Sequence, residues 1–157
     1  MSLEERAEGR VFWTAEARTG RRALLVEKSN GQGSLRLTLV KPLPAKPESL
    51  YESAVYLRVK RRQYGTAVQI HNRDLGAEGK ALGEFHDSAI LRQPNFSRGQ
   101  EWQRHWTRWI TDKGTAAIQV AFRIEGNPMT LAPDDFEVIA SPPPLEHKAV
   151  TDSTEPL

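Results

Sequence analysis

The sequence predicts an all-β domain built as two packed antiparallel sheets, a β-sandwich. Three observations lead there. Apolar residues recur at every second position along several short runs, Gly, Asn, Asp and Pro separate those runs, and no segment shows a sustained helical stripe.

The runs, in order, are as follows. Residues 23–28 form a first short candidate strand. Leu35, Leu37 and Leu39 alternate with Arg36, Thr38 and Val40, and Val55, Leu57 and Val59 alternate with Tyr56, Arg58 and Lys60. Val68 and Ile70 alternate with Gln69 and His71. The stretch 74–93 is less regular and is expected to be a long loop with a short strand. Residues 102–111 are rich in β-favouring side chains and are expected to be extended. Ile118, Val120, Phe122 and Ile124 alternate with Gln119, Ala121, Arg123 and Glu125, and residues 136–140 close the series. Asn30-Gly31 followed by Gly33 signals a hairpin, because Asn and Gly adopt positive φ at little cost. Pro42, Pro44 and Pro47, Asp112-Lys113-Gly114 and Gly126-Asn127-Pro128 mark further connections.

Composition bounds the class. The 157 residues suit one domain, with 38% hydrophobic and 27% charged residues, four Trp and no Cys. Without Cys there is neither a disulfide framework nor a thiolate site. No run reaches the roughly 18 apolar residues of a membrane-spanning helix. Twenty-two Lys and Arg against 20 Asp and Glu leave a net charge of +2, too small a field for a dedicated nucleic-acid binder. The basic run Arg58, Lys60, Arg61, Arg62, flanked by Tyr56 and Tyr64, reads as a solvated strand end and turn.

Residues 1–10 are expected to be an expression leader or an irregular lead-in, 11–140 the folded domain, and 141–157 a Pro-rich, flexible tail or linker. The chain reads as one domain of a longer protein. No charged n-region followed by an apolar h-region is visible.

The order of the runs resembles a known family. A loop with Gly20 leads into Ala23-Leu24-Leu25-Val26, and a strand begins at Tyr51 and continues through Ser53 to Val59. A Trp-centred strand at Trp102 follows, then a last pair formed by the Ile118 to Ile124 run and Asp134-Asp135-Phe136-Glu137-Val138. This resembles the galactose-binding-like jelly-roll carbohydrate-binding modules appended to xylanases, laminarinases and cellulases. In them a G-x-x-(A/S)-L-x-V strand opens the pattern and an Asp-Asp-(Val/Phe)-x-(Val/Leu) strand closes it. The family's usual first strand, with its Asn-Gly and Phe-Glu pair, has no match in Glu4 to Arg10.

The resemblance implies a jelly roll whose concave outer face holds a polysaccharide or oligosaccharide without catalysis, in a secreted, cell-surface or periplasmic protein with further attached domains. The outward alternants Tyr56, Arg58, Gln69, His71, Gln119 and Arg123 are the expected ligand-binding set, with Glu125 beside them. A sugar needs a ring for its C–H face and planar polar groups for its hydroxyls. Alanine at His71 or Arg123 is then expected to abolish glycan retention without lowering the melting temperature. Trp102 is implied to pack in or beside the core, and for Trp102, Trp106 and Trp109 together packing and sheet covering is the expected use, ahead of a stacking platform on one of them. Asp134 and Asp135 suit a structural calcium ion, which the resembled modules often hold at this point; adjacent Asp residues are equally ordinary in turns.

Two other readings compete. The same sandwich serves as a protein-interaction or sensory module if an apolar patch replaces the polar face. A small hydrolase or lyase around His71 and His86 needs both imidazoles to converge in a deep pocket. Glu84-Phe85-His86 puts a carboxylate and an imidazole on one side of an extended chain. No His-x-His, His-Glu-x-x-His, Gly-x-Ser-x-Gly or phosphate-loop pattern occurs, and an enzyme is not expected. Asn95-Phe96-Ser97 has the form of a glycosylation sequon.

Overall fold

A computed structural model of the chain describes residues 2–4 (as backbone), 8–62, 65–87 and 101–145. The alternating runs pair into two antiparallel sheets that pack face to face. The first contains β1 (Ser2–Glu4), β4 (Ser34–Thr38), β5 (Leu43–Pro44), β7 (Thr66–Leu75), β8 (Ala81–Asp87), β10 (Ala117–Gln119) and β11 (Ala121–Gly126). Its order is β1-β4-β11-β7-β10-β5, and β8 adds to the other edge of β7. The second runs β2-β3-β12-β6-β9, from β2 (Gly9–Thr14), β3 (Ala23–Lys28), β12 (Met129–Ala140), β6 (Leu50–Arg62) and β9 (Gln103–Ile110). Inward alternants of both sheets make the core: Val26, Leu35, Val55, Val68, Ile124 and Leu131 are wholly buried. Burying each such side chain contributes about 1.5–3 kcal/mol.

The domain starts earlier than the sequence suggests. Ser2–Glu4 pairs with β4, and Gly9–Thr14 pairs with β3 in a true hairpin. Exposed Phe12 and Trp13 break the alternation there and hide the strand. The stretch after Arg73 is also more regular than expected. β7 continues to Leu75, a 3-10 turn at Ala77–Gly79 reverses the chain, and β8 returns along β7. Asp74 masks this, because a carboxylate on an inward position looks like a loop residue; residues 88–93 of the expected loop lie outside those described. Asn30-Gly31 does not close a hairpin. β3 and β4 belong to different sheets, so this turn carries the chain across the sandwich, as do the turns at Asp112–Gly114 and Gly126–Pro128.

The first crossing is held by Lys28. Its ammonium, at the end of β3, donates to the carbonyls of Asn30, Gln32 and Gly126, so one buried cation gathers two of these crossing turns. Burial pushes the Lys28 pKa below its ordinary value.

Candidate functional site

The outward face of the first sheet collects polar side chains in register. Arg123 on β11 stands opposite Arg36 on β4 and opposite Gln69 on β7. Gln119 on β10 stands opposite Arg73 on β7. His71 lies between these rows, and Phe85 reaches over it from β8 with ring centroids 3.6 Å apart and nearly parallel planes. Arg36 Nη2 is 3.3 Å from His71 Nε2, and the guanidinium carbons of Arg36 and Arg73 lie 5.3 and 4.6 Å from the Phe85 centroid. His71 and Gln69 are almost fully buried beneath this layer. Arg123 Nη2 meets Glu125 Oε2 at 3.2 Å.

At one end of the face a cavity of about 440 Å³ opens between Ser34, Ala67, Arg123 and Glu125 on the sheet and the backbones of Gly31, Gly33, Gly65 and Gly126. Gly126 must be glycine here. Its φ is +88°, and a Cβ would press into the Gly65 carbonyl.

Four of the six expected ligand residues, Gln69, His71, Gln119 and Arg123, therefore share one face. Tyr56 and Arg58 do not. They project from β6, on the outer surface of the second sheet, where their environment is filled. The Arg18 guanidinium lies 3.4 Å over the Tyr56 ring, and Arg58 Nη1 and the Lys60 ammonium approach Glu16. Alternation shows which residues point outward, but long-range pairing decides from which sheet. Tyr64 and the sequon lie outside the described residues, as do the side chains of Arg61 and Arg62. The face also holds three groups that the site prediction omitted: Arg36, Arg73 and Phe85. Arg36 was available as the outward alternant between Leu35 and Leu37; no sequence signal placed Phe85 over His71.

His71 and His86 do not converge. His71 faces outward, whereas His86 turns inward, stacks on Trp109 at 5.8 Å and approaches Asp74 at 3.4 Å. Glu84 is exposed. Asp74, His86 and Asp112 offer ligand atoms within 4.8 Å of one another. However, Asp74 already accepts hydrogen bonds from the Trp109 indole, the Asp112 amide and the Thr115 hydroxyl. This buried carboxylate joins β7 to β9 and the turn after it. Trp109 is thus the core tryptophan, while Trp102 is only half-buried and Trp106 is exposed on the outer side of β9.

Asp134 and Asp135 sit at a bulge in β12, where Asp135 takes φ = +51°. Every carboxylate oxygen of the pair faces a donor. Asp134 accepts from the Arg18, Thr19 and Asp135 amides, and Asp135 from the Thr19 hydroxyl and the Arg18 guanidinium. Those contacts from Thr19 and Arg18 hold Asp135 below the usual carboxylate range. A hard cation needs oxygen ligands, and here a guanidinium and N–H groups take the lone pairs, so this arrangement does not fit calcium.

No protein-family model matches the chain, and no curated protein matches it by sequence. Solved structures do match by fold. The enzymatically active domain of tailspike protein 4 from bacteriophage CBA120 aligns with TM-score 0.68 at 9% identity, over 88% of this chain and 19% of that one. The CBM22-1 xylan-binding domain of Paenibacillus barcinonensis Xyn10C aligns with TM-score 0.58 at 13% identity, over 88% and 85%. The Clostridium thermocellum Xyn10B CBM22-1–GH10 modules, complexed with xylohexaose, align with TM-score 0.56 at 13% identity, over 83% and 24%. The chain has the jelly-roll β-sandwich fold of these carbohydrate-binding modules.

Proposed function

We propose that this chain is a non-catalytic module that binds a polysaccharide or oligosaccharide on the outward face of the first sheet, at the cavity beside Arg123. The observation that carries the reading is that Arg36, Gln69, Arg73, Gln119 and Arg123 share one face in register, with Arg36 and Arg73 over the Phe85 ring. Planar groups with several donors and acceptors suit the paired hydroxyls of a sugar ring, and a preformed face holds them in place before the ligand arrives. Support comes from the fold neighbours, which include a xylan-binding domain and a module joined to a GH10 unit. In the same way this module raises the local concentration of glycan for domains attached to it, in a secreted, cell-surface or periplasmic protein. Among the described residues no helix is long and apolar enough to cross a membrane.

The test is retention in affinity electrophoresis against a panel of neutral and acidic polysaccharides. Arg123→Ala is expected to lose retention while its melting temperature stays within about 2 °C of the parent, since a partly exposed surface side chain contributes little to stability. Unchanged retention would remove the face from consideration. His71→Ala is expected to lower the melting temperature as well, because that imidazole is buried under Phe85. A protein-interaction role has one supporting feature, the corner of the second sheet where Leu50, Trp106 and Ile110 are exposed.

A further inference from the structure

We infer that Asn30 is a modification site, where the folded turn promotes spontaneous deamidation: the side-chain amide reacts with the backbone of Gly31 and with water to give aspartate and isoaspartate. The reaction is independent of glycan binding.

The residues that follow the four asparagines of the chain are Gly31, Arg73, Phe96 and Pro128. Deamidation needs the amide nitrogen of the next residue to give up its proton and attack Cγ. Glycine, with no side chain, leaves that approach open, whereas arginine and phenylalanine crowd it and proline has no N–H to give up. Asn72 is also wholly buried in β7, while Asn30 is half-buried and Gly31 is exposed to water.

The turn supports each step. The Lys28 ammonium donates to the Asn30 carbonyl. When the Gly31 N–H loses its proton to hydroxide, the negative charge is shared with that same carbonyl oxygen, so the cation stabilises the nucleophile. Asn30 Oδ1 accepts from the Glu8 amide at 3.1 Å and from the Gln32 amide at 3.4 Å. As the Gly31 nitrogen bonds to Cγ, the carbonyl electron pair moves onto Oδ1, and these two N–H groups receive it as an oxyanion hole does. The Gln32 contact, two residues on, is an Asx-turn bond that folds Cγ back toward the Asn30–Gly31 peptide. Collapse breaks the Cγ–Nδ2 bond and expels ammonia, which takes a proton from water, and leaves a five-membered succinimide. Water then opens the ring, at Cγ to give isoaspartate's isomer aspartate through the restored backbone, or at the former backbone carbonyl to give isoaspartate. One water enters and one ammonia leaves.

Both products fit the donors already present. In aspartate the new carboxylate keeps the Glu8 and Gln32 amides; in isoaspartate the former backbone carbonyl becomes the carboxylate, against the Lys28 ammonium. Isoaspartate also adds one methylene to the backbone beside Gly31, which lines the cavity.

The experiment incubates the whole chain at pH 8 and 37 °C, folded and in concentrated urea, and follows the mass gain of one dalton and the isoaspartate content by peptide mapping. The folded chain is expected to convert Asn30 about threefold faster than the unfolded one, with Asn72 and Asn127 intact, because the oriented donors exist only in the fold. Gly31→Ala is expected to slow conversion about tenfold. Its added Cβ would meet Asn127 Oδ1 at 3.0 Å, and Gly31 is not in the left-handed region, so the fold accepts it with a small shift. Lys28→Met, with circular dichroism unchanged, is expected to slow the folded reaction about threefold and leave the rate in urea as it was. Conversion in the folded chain no faster than in urea overturns the inference, whether or not Lys28→Met folds. An unchanged rate in Gly31→Ala, or in folded Lys28→Met, overturns it as well.

Discussion

The two outer surfaces of the sandwich treat charge in opposite ways. On the second sheet cations meet carboxylates of this chain: Arg104 and Arg108 converge on Glu52, Arg18 meets Asp135, Lys60 meets Glu16, and Arg10 meets Glu27. On the first sheet Arg36 faces Arg123 across the strands, and Glu125 is the carboxylate within reach of Arg123. The first pattern uses charge to close a structure, whereas the second sets two cations directly opposite each other. Charge pairing therefore separates the two faces better than polarity does, since both are polar.

The largest expected effect tests the self-contained face. Glu52 is buried and accepts from both Arg104 and Arg108. Removing one member of a fully buried ion pair costs about 3–5 kcal/mol, and because Arg104 is partly exposed Glu52→Gln is expected to cost about 2 kcal/mol in urea unfolding. Glycan retention of that variant should be unchanged. On the other face the ranking reverses, with Arg123→Ala losing the ligand while unfolding moves by less than about 0.5 kcal/mol.

Acid sharpens the same contrast. Burial raises the Glu52 pKa, but hydrogen bonds from Arg104 and Arg108 outweigh it and leave the group below its ordinary 4.5. A carboxylate lowered in the folded state contributes stability that is complete above its unfolded pKa and is lost as pH falls through the folded one. Unfolding midpoints between pH 7 and pH 3 should therefore fall on the acid side, and the fall should be shallower in Glu52→Gln.

The smallest effects are absences. Tyr56→Ala and Arg58→Ala should leave glycan retention as it was, and any loss would return the site to the second sheet. EDTA should leave the melting temperature within about 1 °C, since a bound ion would stabilise the folded state by mass action and Asp134 and Asp135 are already supplied with donors. A fall on chelation would restore a metal to that bulge.

The sandwich and much of the candidate face were readable because a strand's period is two. Val68, Ile70, Phe122 and Ile124 point inward, so Gln69, His71 and Arg123 must point outward, and β7 and β11 happen to be neighbours. The same logic for Tyr56 and Arg58 was correct in parity and wrong in place, because β6 pairs with β12 and β9. Nothing local to residues 50–62 specifies those partners. Asp74 illustrates the opposite failure. Its charge argued for solvent, yet Trp109, Asp112 and Thr115, all distant in sequence, together satisfy it in the interior.

Lys28 has a last consequence. By gripping Asn30, Gln32 and Gly126 it sets the positions of the glycine turns that frame the cavity. Its positive charge is bonded into the polypeptide, so no competing ion can displace it and no sequestering agent can extract it. The mouth of the cavity should then keep one shape in hard water and in soft, its geometry inherited with the gene rather than borrowed from the surroundings.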